Sequence, residues 1–262
     1  MEKINVYGLE GSKKSVIDVP KIFSIPPRKD IIRKACEVSS SKNKQVQGRD
    51  KRAGLRNSSE SWGTGHALSR APRIKGSGFP TARNVGRVPF AKGGRRTHPI
   101  KAEKTIIKRI NKKTKKLSII SAISASADTI WIKRRGYIIE NVPEVPLVVD
   151  DKIQTIKKTS NIYSTLFDLG LREELIKIKK SKKVRAGKGK RRARKYKMKK
   201  GILLVIKEDF GIIKAARNIP GVDIVKIEDL SIDHLAPGGL PGRLIIWAQS
   251  AFNDLNKFER LI

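Results

Sequence analysis

The chain has 262 residues, of which 59 are Lys or Arg and 24 are Asp or Glu, giving a net charge of +35; hydrophobic residues make up 38%. Self-repulsion on this scale opposes a compact body unless a polyanion neutralises it, and nucleic acid, with about one charge per 1.7 Å of duplex axis, supplies one. No run reaches the ~18 consecutive apolar residues of a spanning helix and no secretory hydrophobic run opens the chain, so we expect no membrane and a cytoplasmic protein, while the single cysteine, Cys36, excludes an intramolecular disulfide framework and a multi-cysteine zinc site.

Residues 1–40 carry 8 basic and 5 acidic residues. Here "INVYGL" and "SVIDVP" read as strands, and a helix follows from about Arg28, with Cys36 as a small buried residue on it. Residues 41–100 are different in kind, with 14 basic and 2 acidic residues. Glycines at 48, 54, 63, 65, 76, 78, 86, 93 and 94 and prolines at 72, 80, 89 and 99 break any apolar period. This composition predicts a long extended loop with no regular structure of its own, and loops of such length are functional or linkers. Trp62, Phe79 and Phe90, interleaved with arginines, favour insertion among RNA strands, where flat side chains stack on unpaired bases while cations meet phosphate.

Helical spacing resumes over 101–127 (Ile106, Ile110, Leu117, Ile120) and over 157–169 (Ile162, Leu166, Leu169). Residues 101–176 hold 15 basic and 9 acidic residues, and residues 177–200 hold 15 and none. The latter stretch reads as a second basic, RNA-binding loop within the body: Gly187 and Gly189 let the backbone approach a phosphate, and Tyr196 offers a stacking face. Residues 201–262, with 7 basic and 8 acidic residues, are an ordinary fold. "ILLVIK", "DIVKI" and "RLIIWAQ" read as strands; "EDFGIIKAARN", stopped at Pro220-Gly221, "LSIDHLA" and "SAFNDLNKFERLI" read as the alternating helices. Trp131 and Trp247, in apolar runs, read as core. Alternation of this kind implies parallel pairing through right-handed crossovers. The expected fold is α/β: one globular body from 1–40 and 101–262, a parallel mixed-wound sheet flanked by helices, and the long extended internal loop over 41–100.

Enzyme readings find little footing. "GLEGSKKS" lacks the spacing of a P-loop, and "APGGLPG" (236–242) precedes a strand, whereas a phosphate cradle follows one and opens a helix. Asp229, Asp233 and His234 could share a face and hold a cation, but caps and surface acids explain them more simply. His66 has no carboxylate or nucleophile near it in sequence and reads as an RNA contact. We expect no catalytic residue, no metal and no cofactor. An RNA-processing enzyme with a basic substrate loop and a chromatin-like architectural protein are the alternatives to a structural RNA-binding protein.

Three segments, "GRDKRAGLRNSSESWGTGHALSRAPRIKGSGFPTARNVGRVPFAKGGRRTHPI", "KKVRAGKGKRRARKYKMKKG" and "NIPGVDIVKIEDLSIDHLAPGGLPGRLIIWAQSAF", together resemble the large-subunit ribosomal protein four family of the archaeal and eukaryotic type. The resemblance spans essentially the whole chain. It implies an α/β body on the subunit surface and a loop threaded into large-subunit ribosomal RNA. By the same resemblance the tip, Trp62, Gly63, Thr64, Gly65, His66, Ala67, Leu68 and Ser69, lines the peptide exit tunnel. The loop stem then touches RNA through Arg49, Lys51, Arg52, Arg56, Arg70, Arg73, Lys75, Arg83, Arg87, Arg95 and Arg96. A second grip is implied for Lys183, Arg185, Lys188, Lys190, Arg191, Arg192, Arg194, Lys195 and Tyr196. Implied partners are the ribosomal RNA, neighbouring ribosomal proteins including a second tunnel-lining protein, and the nascent peptide near the tip; the implied location is the cytoplasm, bound to ribosomes. The tip is less rich in arginine than that of the bacterial branch, and no long basic extension of the eukaryotic kind follows "FNDLNKFERLI", so an archaeal source is expected. The loop is expected to order only on RNA, where phosphate neutralisation offsets its conformational entropy.

Overall fold

In a computed structural model of the protein, residues 3–256 are described. In chain order the elements are β1 (Lys3–Tyr7), β2 (Lys13–Asp18), α1 (Lys29–Lys42), β3 (Ser59–Glu60), β4 (Arg73–Ile74), α2 (Lys112–Ala125), α3 (Thr129–Arg135), β5 (Leu147–Val149), α4 (Thr159–Asp168) and α5 (Arg172–Lys180). They continue with β6 (Lys183–Val184), β7 (Tyr196–Lys197), β8 (Leu203–Ile206), α6 (Ile212–Ala216), β9 (Asp223–Lys226), α7 (Ile232–Leu235), β10 (Ile245–Ala248) and α8 (Gln249–Asn253). Two compact units result, one made of residues up to 41 and from 109 onward, the other of residues 42–108.

The first unit is built on a six-stranded sheet of order β2-β1-β5-β10-β8-β9. Only the β1–β2 pair is antiparallel; the other four pairings are parallel. The order follows from side-chain chemistry. β5, β10 and β8 are buried at every position, and such strands, apolar on both faces, belong in the middle of a parallel sheet with helices above and below. β2 is exposed along most of its length and lies at an edge. Trp247 of β10 is wholly buried and pairs with Val148 on one side and Val205 on the other. Beside it Phe252 stacks on Phe23 at 5.5 Å between ring centroids, which ties α8 to the segment before α1.

Some expectations change. The helix expected over 101–127 starts only at Lys112, after Asn111, and 101–111 are not helical. Ile106 and Ile110 suggested a helical stripe, but of residues 101–111 only Ile110 packs against the core, and β-branched side chains without tertiary support do not hold a helix. β5, α3 and α5 went unread because β5 is three residues long and the two helices are heavily charged. Trp131 is half-buried rather than core, with the Arg134 guanidinium 5.6 Å from its ring. The closing helix is observed over Gln249–Asn253; its expected continuation from 257 lies outside the described residues.

Candidate nucleic-acid interface

The 42–108 unit is organised by its own backbone, contrary to the expectation of no regular structure. β3 pairs antiparallel with β4, and Arg73 forms a bridge with Val85. The Ile74 and Gly86 amides donate to the carbonyls of Asn84 and Pro72 at 2.9 Å each. Gly86 fits a tight crossing, where a Cβ would lie 3.0 to 3.2 Å from Asn57, Ile74 and Ser59. Further toward the base, Gly94 passes so near Val88 that a Cβ would fall 1.9 Å from its carbonyl oxygen.

Beyond the cross-link lies the tip, Trp62 to Ser69. The Ser61 hydroxyl closes its neck by donating to the Arg70 carbonyl at 2.8 Å. Every residue from 61 to 70 is exposed, and Trp62 meets His66 edge-on at 5.8 Å. Gly63 and Gly65 have positive φ with open space around them, so they shape the turn rather than admit a neighbour. The eight tip residues are therefore brought together, and an aromatic and an imidazole ring stand in one exposed loop.

The stem residues Arg49, Lys51, Arg52, Arg56, Arg70, Lys75, Arg83, Arg87, Arg95 and Arg96 are exposed, and Arg73 is half-buried. Arg73 donates to the Arg83 carbonyl at 3.1 Å, so it braces the cross-link. The two acids of residues 41–100 are both taken up inside the unit: Asp50 pairs with Arg56 at 2.7 Å, and Glu60 pairs with Lys75. The Lys75 ammonium, through its hydrogen bond and its charge, holds the Glu60 carboxyl below its ordinary range. No contiguous pattern announces this local cancellation, which occupies both carboxylates of residues 41–100.

The second basic stretch is a hairpin rather than an irregular loop, and its first residues, Lys177–Lys180, belong to α5. β6 and β7 pair antiparallel, and a short turn of 3-10 helix over Lys188–Lys190 sits near its end. Lys183, Lys188, Lys190, Arg191, Arg192, Arg194, Lys195 and Tyr196 are exposed; Arg185 is half-buried and donates to the Arg194 carbonyl at 3.1 Å. Both ends of the hairpin are fastened. The Lys199 amide donates to the Ser181 hydroxyl at 3.1 Å, and the Tyr137 hydroxyl, deep in the body, donates to the Gly201 carbonyl at 3.0 Å. Burial pushes the Tyr137 phenol above its ordinary pKa, so it is held as a donor.

Arg243 completes this anchor. It is fully buried, and its guanidinium donates to the carbonyls of Gly201 (2.8 Å), Ile202 (3.3 Å) and His234 (2.7 Å) and to Asp223 (2.6 Å). Asp223 also receives Lys200 at 3.0 Å. Burial alone would push the Asp223 carboxyl up, but the hydrogen bonds and charges of Arg243 and Lys200 hold it below the usual carboxylate range. An arginine two residues before a strand carries no sequence signal of being the root of this assembly.

Of the residues weighed for catalysis or metal binding, Cys36, Asp233 and His234 are engaged within the body, and Asp229 is exposed. Asp233 accepts hydrogen bonds from Ser39 and, at 3.9 Å, from the Cys36 thiol, tying α7 to α1. His234 is paired with the Ser231 hydroxyl through Nδ1 at 3.0 Å. Burial, and next the Asp233 charge, raise the Cys36 thiol pKa, which makes it a poor nucleophile. Among the described residues no three His, Cys, Asp or Glu side chains converge as metal ligands, and no helix is long and apolar enough to cross a membrane. "APGGLPG" is a close-packing device: at Gly242 a Cβ would lie 2.4 Å from the Trp131 carbonyl oxygen.

A mostly parallel α/β sheet in one unit, together with two acid-poor stretches whose Lys and Arg side chains are mostly exposed, defines a class of strongly basic α/β protein. Comparison with known proteins narrows the class. Residues 17–258 match the model described as the ribosomal protein L4/L1 family, and the chain belongs to that family, one of ribosomal proteins rather than enzymes. It is 40% identical over 256 residues to the large ribosomal subunit protein uL4 of Methanopyrus kandleri strain AV19, covering 98% of this chain and 98% of that protein. The protein of the same name from Methanococcus aeolicus is 40% identical over 256 residues, 97% of this chain and 99% of its own length. That of Saccharolobus islandicus strain M.14.25 is 40% identical over 253 residues, 96% and 92% respectively. These relatives are archaeal, in line with the expected affinity of the sequence.

Proposed function

We propose that this chain is a structural constituent of the large ribosomal subunit, that both arms bind its ribosomal RNA, and that the tip from Trp62 to Ser69 reaches the wall of the peptide exit tunnel. The observation that carries RNA binding is the segregation of charge. The hairpin stretch 177–200 has no acid, and the two acids of residues 41–100 are held in internal ion pairs. What remains is two rows of cations, and a row of cations gains affinity for RNA by releasing counterions from phosphate. The printed names of the relatives, all large-subunit proteins, support the particle. The tunnel placement, the neighbouring second tunnel-lining protein and the passing nascent peptide rest on the family resemblance of the tip. On this reading the protein resides in the cytoplasm, bound to ribosomes.

Sedimentation of the tagged chain from its own cells through a sucrose gradient, after a high-salt wash, tests the particle. The chain is expected to travel with large subunits; recovery at the top of the gradient, or with small subunits, overturns the proposal. For the tip, a photoreactive group at position 66 is expected to cross-link a stalled nascent chain within the subunit. Cross-linking to bulk soluble protein instead overturns the tunnel placement alone.

A further inference from the structure

The root of the basic hairpin borders a cleft that the charge pattern does not mark. It lies between residues 196–200, the returning side of the hairpin, and the turn 217–223 that leads from α6 to β9, and it encloses about 510 Å³. Gly221 makes it possible. With φ at +77°, a Cβ there would fall 2.4 Å from Ile178 Cγ2 and 3.2 Å from the Lys199 carbonyl oxygen, so only glycine lets the turn come this near the strand. The Gly201 amide then fixes the spacing by donating to the Gly221 carbonyl at 2.9 Å.

The chemistry of the walls is mixed in a particular way. On one side stands the Tyr196 phenol ring, 51% exposed, with the Lys182 ammonium 4.8 Å from its centroid. Pro220 and the exposed Arg217 and Asn218 of the turn also line the cleft. Lys199 adds a further cation. The one carboxylate in the lining, Asp223, is already neutralised by Arg243 and Lys200.

We propose that this cleft receives a single unpaired nucleotide of the bound RNA. Its base lies against Tyr196, its phosphate among Lys182, Lys199 and Arg217, and its hydrogen-bonding edge within reach of Asn218. This rests on the reading that the hairpin binds ribosomal RNA and goes beyond it by naming the form of the RNA. A continuous duplex keeps its bases stacked and presents only phosphate and ribose to such a wall, for which lysines alone would serve. An unpaired base offers a flat π face, a polar edge and a phosphate at once, and the cleft supplies a partner for each. Its volume falls within the ~300–1,000 Å³ of small-ligand sites, enough for one nucleotide. The Lys182 ammonium, held over the ring before RNA arrives, is placed to move onto the phosphate as the base takes the ring face.

Affinity of the full chain for large-subunit ribosomal RNA of its own organism is measured against salt for the wild type, Tyr196→Ser and Tyr196→Phe. Loss of a stacked base weakens binding about 5- to 100-fold. Tyr196→Ser is expected to show this loss with the salt slope unchanged, and Tyr196→Phe to bind as the wild type. Ultraviolet irradiation of the wild-type complex, followed by nuclease digestion and mass spectrometry, is expected to leave a nucleotide on Tyr196. If the wild type binds RNA but Tyr196→Ser binds equally well, or Tyr196→Phe is as weak as Tyr196→Ser, the nucleotide cleft is wrong while the RNA-binding reading stands. If the wild type shows no salt-dependent binding to ribosomal RNA, both fall together.

Discussion

Replacing Arg243 by Met removes a fully buried guanidinium that makes four hydrogen bonds, to three carbonyls and one carboxylate. Methionine fills most of the volume, so the loss is electrostatic rather than a cavity. Breaking a buried charged pair on one side costs about 3–5 kcal/mol; Lys200 still meets the partly exposed Asp223, so the loss falls mainly on the three carbonyls deprived of their charged donor. Within a native stability of about 5–15 kcal/mol this is a large share. At roughly 2–4 °C per kcal/mol for a domain of this size, the midpoint should fall by about 6–20 °C. The double variant Arg243→Met, Asp223→Leu removes both charges and should recover part of the loss; the carbonyls left without a donor still cost about 1–3 kcal/mol. Urea unfolding followed by tryptophan fluorescence reads the result, since Trp247 is buried in the adjoining β10. A single variant within ~1 kcal/mol of the wild type, or a double variant no better than the single, would refute the buried-pair account.

The depressed Asp223 carboxyl makes stability depend on pH. Its folded pKa lies below the ordinary 3.8, so its contribution is complete above that value and is lost as pH falls through the lower, folded value. Acid unfolding of Asp223→Asn below about pH 4 should therefore show a shallower pH dependence than the wild type, and an equal slope would remove Asp223 from the account. Among the cations, Arg70→Ala and Arg191→Ala should each lower the salt slope of RNA binding by about 1, as expected for exposed phosphate contacts. Arg73→Ala, whose guanidinium braces the Arg83 carbonyl, should leave that slope nearly unchanged; equal effects at all three positions would show that bracing and contact are not separable. Gly94→Ala drives a methyl into the Val88 carbonyl and should weaken RNA binding while leaving unfolding of the body unaltered, as followed by Trp247 fluorescence. Limited trypsin digestion of the RNA-free protein should cut rapidly between residues 50 and 95 and spare the body; protection without RNA would break the proposed coupling between ordering and binding.

The features legible in the sequence were those written in contiguous residues. "ILLVIK", "DIVKI" and "RLIIWAQ" became β8, β9 and β10 because runs of β-branched and aliphatic residues leave few alternatives, and the two cationic stretches stood out by their lack of acids. What could not be read depends on residues far apart in the chain. Arg243 opens the run "RLIIWAQ" with nothing in its neighbours to mark it, yet Asp223, Gly201 and His234 converge on it. Asp233 and His234 invited a metal reading, but their partners are Ser39, Cys36 and Ser231. The isoleucines at 106 and 110 copied a helical spacing, but of the two only Ile110 packs against the core, while β5 is three residues long, too short for any period to show. The proposed nucleotide cleft is hidden for the same reason: Tyr196 and Arg217 line one cleft only because Gly221 lets two segments approach.

The hairpin departs from the body at Ser181 and comes back at Lys199, and those two residues are hydrogen-bonded to each other. An excursion that starts and finishes at one stitched point places no demand on the sheet beneath it. Its length can change as a detachable handle's would without disturbing the fold, while the socket formed by Tyr137, Arg243 and Asp223 stays as it is. The same socket would accept a transplanted ribbon of different RNA preference, provided the graft keeps its two ends at the spacing the stitch defines.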